Sequence, residues 1–162
     1  MIKSKLLVSL ILILLVVLQS TILDYIKIFN TKPDILLVAI VIISLSFDLK
    51  WVLIFSYFTG FLKDILAVLP LGLNTLVLPL LGFLIFRLSK KIVIETNYMI
   101  TVAIFISLIF ENLAVSLLLI PLQLNFSLGI FFRLTIVSSV YTALLFFLLS
   151  KIIRIPDITS HS

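Results

Sequence analysis

Long apolar runs, interrupted by short groups of charged residues, prolines and glycines, organise this chain. Crossing about 30 Å of hydrocarbon as a helix takes roughly 20 residues, with about 17 as a lower bound. Five of the six runs are long enough, and only the second is short. The pattern predicts an all-α membrane protein, a compact bundle of six transmembrane helices over Leu6–Leu23, Ile35–Phe47, Trp51–Leu69, Leu71–Leu88, Tyr98–Ile120 and Leu128–Leu149.

The composition agrees with a membrane location. Of the 162 residues, 63% are hydrophobic and 12% are charged, whereas a soluble domain is about half apolar and a quarter charged. We therefore expect a single transmembrane domain over residues 1–162, with 155–162 as a short polar tail. Lys3 and Lys5 before an apolar run resemble a signal peptide, but no small-residue cleavage site follows Gln19, so this run is predicted to be an uncleaved span.

The distribution of cations predicts the orientation. If the N-terminus is cytoplasmic and all six runs cross, eight cations lie in cytoplasmic segments and two in outer loops. This is the positive-inside bias of membrane proteins. If the second run did not cross, Arg87, Lys90 and Lys91 would move outside. We therefore expect six spans with both termini in the cytoplasm. The eight inner cations are Lys3, Lys5, Lys50, Arg87, Lys90, Lys91, Lys151 and Arg154, and the two outer ones are Lys27 and Lys32.

Several polar residues fall where lipid would surround them. A charged side chain at the bilayer centre costs on the order of 3 kcal/mol, and such residues usually face a bundle interior or a cavity. From the span directions, all of these residues fall in the outer half of the membrane. The predicted intramembrane polar cluster comprises Asp34, Lys63, Asp64, Glu111, Asn112 and Arg133, and Gln19 adds uncharged polarity.

These charges can balance one another. Arg133 can pair with Glu111 or Asp64, and Lys63 with Asp34 or Asp64. The favoured interpretation is structural: the pairs fix how the helices pack, or Lys63 extends towards the outer surface. The alternative is a pocket for a small ligand, or a proton relay.

Other polar and small residues indicate turns and helix contacts. Pro33 and Asp34 suit a helix start, and Gly72 and Asn74 lie in a tight reversal between the third and fourth spans. Helical spacing predicts three packing faces. They comprise Tyr57, Gly60 and Asp64; Ser56, Thr59 and Lys63; and Thr135, Ser138 and Thr142.

Several chemistries are excluded by what the sequence lacks. It has no cysteine and one histidine, His161, in the polar tail. It has no Gly-rich phosphate loop and no H-E-x-x-H motif. Its basic residues are too few and too dispersed for nucleic acid. We therefore expect no catalytic residues, no metal site, no cofactor and no nucleic-acid partner.

Short motifs in the first ninety residues carry a family resemblance. They are Leu18-Gln19-Ser20-Thr21, Lys32-Pro33-Asp34-Ile35-Leu36-Leu37, Gly60-Phe61-Leu62-Lys63-Asp64-Ile65-Leu66 and Pro70-Leu71-Gly72-Leu73-Asn74. Together, and in this order, they resemble the rod shape-determining protein MreD family of bacterial inner membranes. The positions that correspond to the family's motifs are Pro33, Asp34, Gly60, Asp64, Gly72 and Asn74. Lys63 departs from the family pattern, in which the residue beside Asp64 is usually apolar.

The resemblance implies a function. Members are non-enzymatic, multi-pass components of the elongasome, the machinery that inserts peptidoglycan into the lateral wall. The implied partners are an MreC-like bitopic membrane protein and, indirectly, MreB filaments, RodA and its transpeptidase, in contact with membrane lipids. The implied role is a scaffold that determines cell shape.

Two alternatives stay open. The family's fold is similar to the substrate-binding subunit of energy-coupling-factor transporters, which gives the alternative of a vitamin-capture subunit. The other is a wall-precursor enzyme built on the intramembrane carboxylates, which would require Asp64 and Glu111 to converge.

Overall fold

Six helices make up the described part of the computed structural model, which covers residues 2–21, 33–66, 72–92, 96–119 and 128–152. Within these ranges, side chains are described except at 2–5, 66, 119, 128–134, 149 and 152. The prediction of an all-α chain with six helices is confirmed over the described residues, where no strand is found. The helices are α1 Ile2–Thr21, α2 Ile35–Ser46, α3 Leu49–Leu66, α4 Leu73–Ser89, α5 Asn97–Leu119 and α6 Leu128–Ile152.

One of these helices is long and apolar enough by itself to cross a membrane. It is the stretch Asn97–Leu118 of α5, with 22 residues and a mean hydropathy of 2.1. The other apolar helical stretches among the described residues are shorter, and α3 carries three charged residues. Length and composition therefore single out one helix, and the remaining five crossings stay predictions. The expected helix ends at Leu23, Leu69, Leu71 and Ile120 lie outside the described residues.

The short helix α2 lies at the centre of the bundle. It contacts α1, α3, α4 and α5, and its sequence from Ile35 to Ser46 is apolar apart from two serines. A helix that is apolar on all sides belongs in a protein core or a membrane. One core cluster joins α2 to α4, α5 and α6 around Leu37, Leu78 and Ile104. A second joins it to α1 and α3 around Leu12 and Phe55.

The outer surface of the bundle is apolar as well. Large aliphatic and aromatic side chains are exposed along five of the helices, for example Leu10, Phe61, Leu76, Ile106 and Leu144. Extended exposed apolar surface of this kind is rare on a soluble monomer and is expected where a protein meets lipid or another protein.

The chain direction gives the bundle two chemically different ends. At the polar end, α1 and α3 finish and α2 and α4 begin, near Gln19, Asp34, Asp64 and Asn74. At the basic end, α2 and α4 finish and α3 and α5 begin. Exposed cations at this end, among the described residues, include Lys50, Arg87, Lys90, Lys91 and Lys151.

Candidate functional site

The start of α2 is buried inside the bundle. Its 12 residues extend about 18 Å at 1.5 Å per residue, well short of about 30 Å of hydrocarbon. Asp34, the residue before the helix, is only 9% exposed. The free N–H groups of the first helical turn cannot reach water here, so side chains must supply their acceptors.

The cap residue Asp34 and two other helices supply acceptors for the first turn and for the N–H of the cap. The Oδ1 atom of Asp34 accepts a hydrogen bond from the N–H of Leu37 at 3.1 Å, the usual role of an N-cap aspartate. Gln19 Oε1, from α1, accepts from the N–H of Leu36 at 3.2 Å. The N–H of Asp34 donates to Thr142 Oγ1, from α6, at 3.0 Å. Pro33, directly before the cap, has no N–H that would need a partner.

Lys63 lies between two carboxylates from different helices. Its ammonium group forms ion pairs with Asp34 Oδ2 at the start of α2 and with Glu111 Oε1 on α5. Asp34 also accepts a hydrogen bond from Gln19 Nε2 at 3.4 Å. With both acids ionised, the three charges sum to −1. We name Gln19, Asp34, Lys63, Glu111 and Thr142 the polar clasp, because its contacts join α1, α2, α3, α5 and α6.

Asp64, the next residue, binds a different element. Adjacent helical residues point about 100° apart, so Lys63 faces α2 and α5 while Asp64 faces α4. Its carboxylate accepts five hydrogen bonds, from the N–H groups of Gly72, Asn74 and Thr75, from Asn74 Nδ2 and from Thr75 Oγ1. These distances range from 2.6 to 3.0 Å.

This arrangement caps the N-terminus of α4 with a negative charge. The free N–H groups and the helix dipole both favour an anion there. Gly72 has a φ of 107°, a conformation that glycine adopts most readily. Asp64 is 1% exposed and is satisfied by these bonds. The contacts therefore fix the α3–α4 hairpin.

Gly60 lets the two helices of this hairpin approach closely. A β-carbon built at position 60 would lie 2.5 Å from the carbonyl oxygen of Asn74 and 2.8 Å from the α-carbon of Thr75. Both are backbone atoms, which cannot move aside as a side chain can. Gly60 and Asp64 thus act on the same junction, one turn apart on α3.

Three of the expected positions do not join the clasp or the buried face of α3 within the described residues. Asn112 Nδ2 donates to the carbonyl of Leu108 in its own helix at 2.8 Å, so this bond joins it to α5 rather than to the clasp. The side chain of Arg133 lies outside the described residues. Tyr57 is 59% exposed and does not share the buried face of Gly60 and Asp64.

The small-residue face of α6 differs by one position from the expected one. Thr135, Ser139 and Thr142 are buried, whereas Ser138 is half-buried. Spacings of i+3 and i+4 are both compatible with one helix face, and the burial of Ser139 selects the second. The bond between Thr142 and the start of α2 was not predicted, and nothing in the spacing of α6 indicates it.

Four buried hydroxyl groups have no hydrogen-bond partner within the described part of the chain. They belong to Ser56 and Thr59 on α3 and to Thr135 and Ser139 on α6. Over the same residues, no group of three or more His, Cys, Asp or Glu side chains is arranged to hold a metal ion.

An all-helical bundle with an apolar exterior and charges paired in its interior is typical of helical membrane proteins. The sequence pattern of the rod shape-determining protein MreD family matches residues 2–155. The chain therefore belongs to this family, and the resemblance seen in the short motifs is confirmed. No curated protein and no solved structure matches the chain. The similarity to the energy-coupling-factor subunit stays a prediction.

Proposed function

We propose that this chain is a non-enzymatic scaffold in the machinery that elongates the bacterial cell wall. The family match over residues 2–155 carries the proposal, since the family determines rod shape. In this proposal the chain forms one multi-pass domain of the inner membrane, with both termini in the cytoplasm. It holds an MreC-like bitopic protein, and through it MreB filaments, RodA and its transpeptidase.

The use of the polar residues supports a scaffold. The carboxylate of Asp64 accepts hydrogen bonds from the turn that begins α4. The ammonium group of Lys63 forms ion pairs with Asp34 and Glu111. Asp64 and Glu111 thus face different helices instead of converging as a general acid and base would. These contacts favour a rigid bundle that presents a fixed outer surface to partners.

Two measurements test the proposal. Depleting the chain from its bacterial host should convert rods into round cells. Affinity purification of the chain from membranes in mild detergent should retain an MreC-like protein. Unchanged rod shape on depletion, or recovery of a tightly bound vitamin with a coupling subunit and ATPases, would refute the scaffold.

A variant pair makes the test specific to the clasp. Lys63→Met should reduce the amount of retained MreC-like protein in proportion to the loss of folded chain, because the clasp stabilises the bundle rather than the contact with the partner. Lys50→Met, which removes an exposed cation at the other end, is the matched control. If Lys63→Met left a stable, fully folded chain that failed to retain the partner, the clasp would instead be a contact surface.

A further inference from the structure

An apolar groove runs between the end of α4 and the start of α5 at the basic end of the bundle. It has a volume of about 300 Å³. Its walls are almost entirely apolar, and no acidic residue is among the described residues that line it. They include Ile85 and Leu88 from α4, Ile92 just after it, and Tyr98, Val102 and Ile106 from α5. We name this feature the basic-end groove.

The length of the groove matches one leaflet of a bilayer. Along α5 it extends from Tyr98 to Ser107, about 14 Å at 1.5 Å per residue. Half of about 30 Å of hydrocarbon is about 15 Å. The groove therefore runs from the membrane interface at the basic end to about the depth where a lipid chain of that leaflet ends. Tyr98, 70% exposed at the shallow end, suits an interface position.

The cross-section of the groove favours a thin occupant. A volume of about 300 Å³ over about 14 Å gives a mean cross-section of about 20 Å². A helix is about 10–12 Å across with its side chains, or about 80 Å² or more. An extended hydrocarbon chain fits within a groove of this width, whereas a helix would have to lie across its open side.

A cation lies at the shallow end of the groove. Lys91 is exposed just after α4 ends, whereas the nearby cations Arg87 and Lys90 lie over the rings of Phe83 and Phe86, which do not line the groove. Lys91 follows the lining residue Leu88 by three positions and precedes the lining residue Ile92, and its N–H bonds to the carbonyl of Leu88 at 2.9 Å. Basic groups beside grooves between membrane helices favour anionic headgroups.

We propose that the basic-end groove binds one acyl chain of an anionic glycerophospholipid, whose phosphate contacts Lys91. The inference rests on the membrane location in the proposed function and is independent of any role in wall synthesis. A failure of lipid binding would therefore leave the shape and co-purification results unaffected.

The test uses the full chain purified from nanodiscs of equimolar phosphatidylglycerol and phosphatidylcholine with identical acyl chains. Native mass spectrometry counts the retained lipids and identifies their headgroups. We expect one retained lipid, with phosphatidylglycerol preferred. Val102→Trp, which fills the groove, should remove it. Leu117→Trp, an equally bulky change at an exposed position of α5 outside the groove, should not.

The headgroup contact is tested separately. Lys91→Gln should lower the preference for phosphatidylglycerol about fivefold, the effect of one cation near the surface. Lys50→Gln is the control cation at the same end. Leu88→Trp fills the groove from α4 and decides the question if Val102→Trp does not fold.

Four outcomes would overturn the proposal. The wild-type chain could retain no lipid, or retain both headgroups equally. Val102→Trp and Leu117→Trp could retain the same lipids. The groove-filling variants could change the oligomeric state while the lipid count stays constant, which would assign the groove to a second copy of the chain.

Discussion

Gly60 on α3 and Asn74 on α4 are in backbone contact: a β-carbon at position 60 would lie 2.5 Å from the Asn74 carbonyl oxygen. A side chain at this point would need the two helices to separate. Separation would also pull Asp64 away from the N–H groups that it caps. The close approach and the buried cap are therefore parts of one junction.

Gly60→Ala should accordingly destabilise the protein by about 3 kcal/mol, at the upper end of the range for overpacking. Gly72→Ala is the control, because a β-carbon there meets nothing within 4 Å and its cost is only about 1–2 kcal/mol of backbone strain. Unfolding in mixed detergent, followed by circular dichroism, measures both. An equal loss of stability in the two variants would show that the close approach of α3 and α4 at Gly60 does not require glycine.

Asp64→Asn should weaken the start of α4. The amide retains one acceptor, loses the charge and places its own N–H₂ group against backbone donors. Hydrogen bonds to a charged group contribute about 1.5–3 kcal/mol each, so a loss of about 3 kcal/mol is expected. Hydrogen exchange at Asn74 and Thr75 should rise before global unfolding.

The control is Asp48→Asn, at an exposed carboxylate before α3. It should lower the stability by less than half as much, and a similar loss of stability in both variants would argue against the cap.

The clasp predicts unequal effects for its charges. Lys63→Met leaves two buried carboxylates without their cation and should cost about 3–5 kcal/mol. Glu111→Gln leaves the Lys63–Asp34 pair neutral overall and should cost much less. Protein yield and the thermal unfolding midpoint in detergent compare the stability of the two variants.

The double variant Lys63→Met/Glu111→Gln provides the sharper result. It should be more stable than Lys63→Met alone, because it removes one of the two uncompensated anions. Strictly additive costs would mean that Lys63 and Glu111 do not interact.

Thr135 and Thr142 allow the same substitution at two buried positions of α6. They are 5% and 2% exposed, but only Thr142 accepts a hydrogen bond, from the N–H of Asp34. Thr142→Val leaves this N–H unpaired and should cost about 1–3 kcal/mol. Thr135→Val should be nearly neutral, since its hydroxyl has no partner within the described part of the chain. Unfolding midpoints measured in one detergent compare them, and a larger cost at Thr135 would contradict the assigned bond.

The sequence alone was sufficient for the six helices over the described residues and for the family, and it indicated Asp34, Lys63, Asp64 and Glu111 as interior polar residues. Apolar runs interrupted by charges and turn residues predict helices because both signals are local and need no knowledge of neighbours. The motifs around Asp34, Asp64 and Gly72 indicated the family for the same reason, since they lie within short stretches. The turn from Gly72 to Thr75 was also indicated by the sequence, because its residues follow Asp64 closely and begin a helix.

Only the tertiary structure decided which polar groups meet. Lys63 contacts Asp34 and Glu111, which lie 29 and 48 positions away along the chain, and Asp34 contacts Thr142 across 108 positions. Asp64 was an equally good ion-pair candidate from the sequence, yet it faces α4. Such choices depend on how each helix is rotated about its axis, and that rotation follows from side-chain packing across the whole bundle. Local pattern fixes where a helix lies in the sequence, and packing fixes the direction in which each of its residues points.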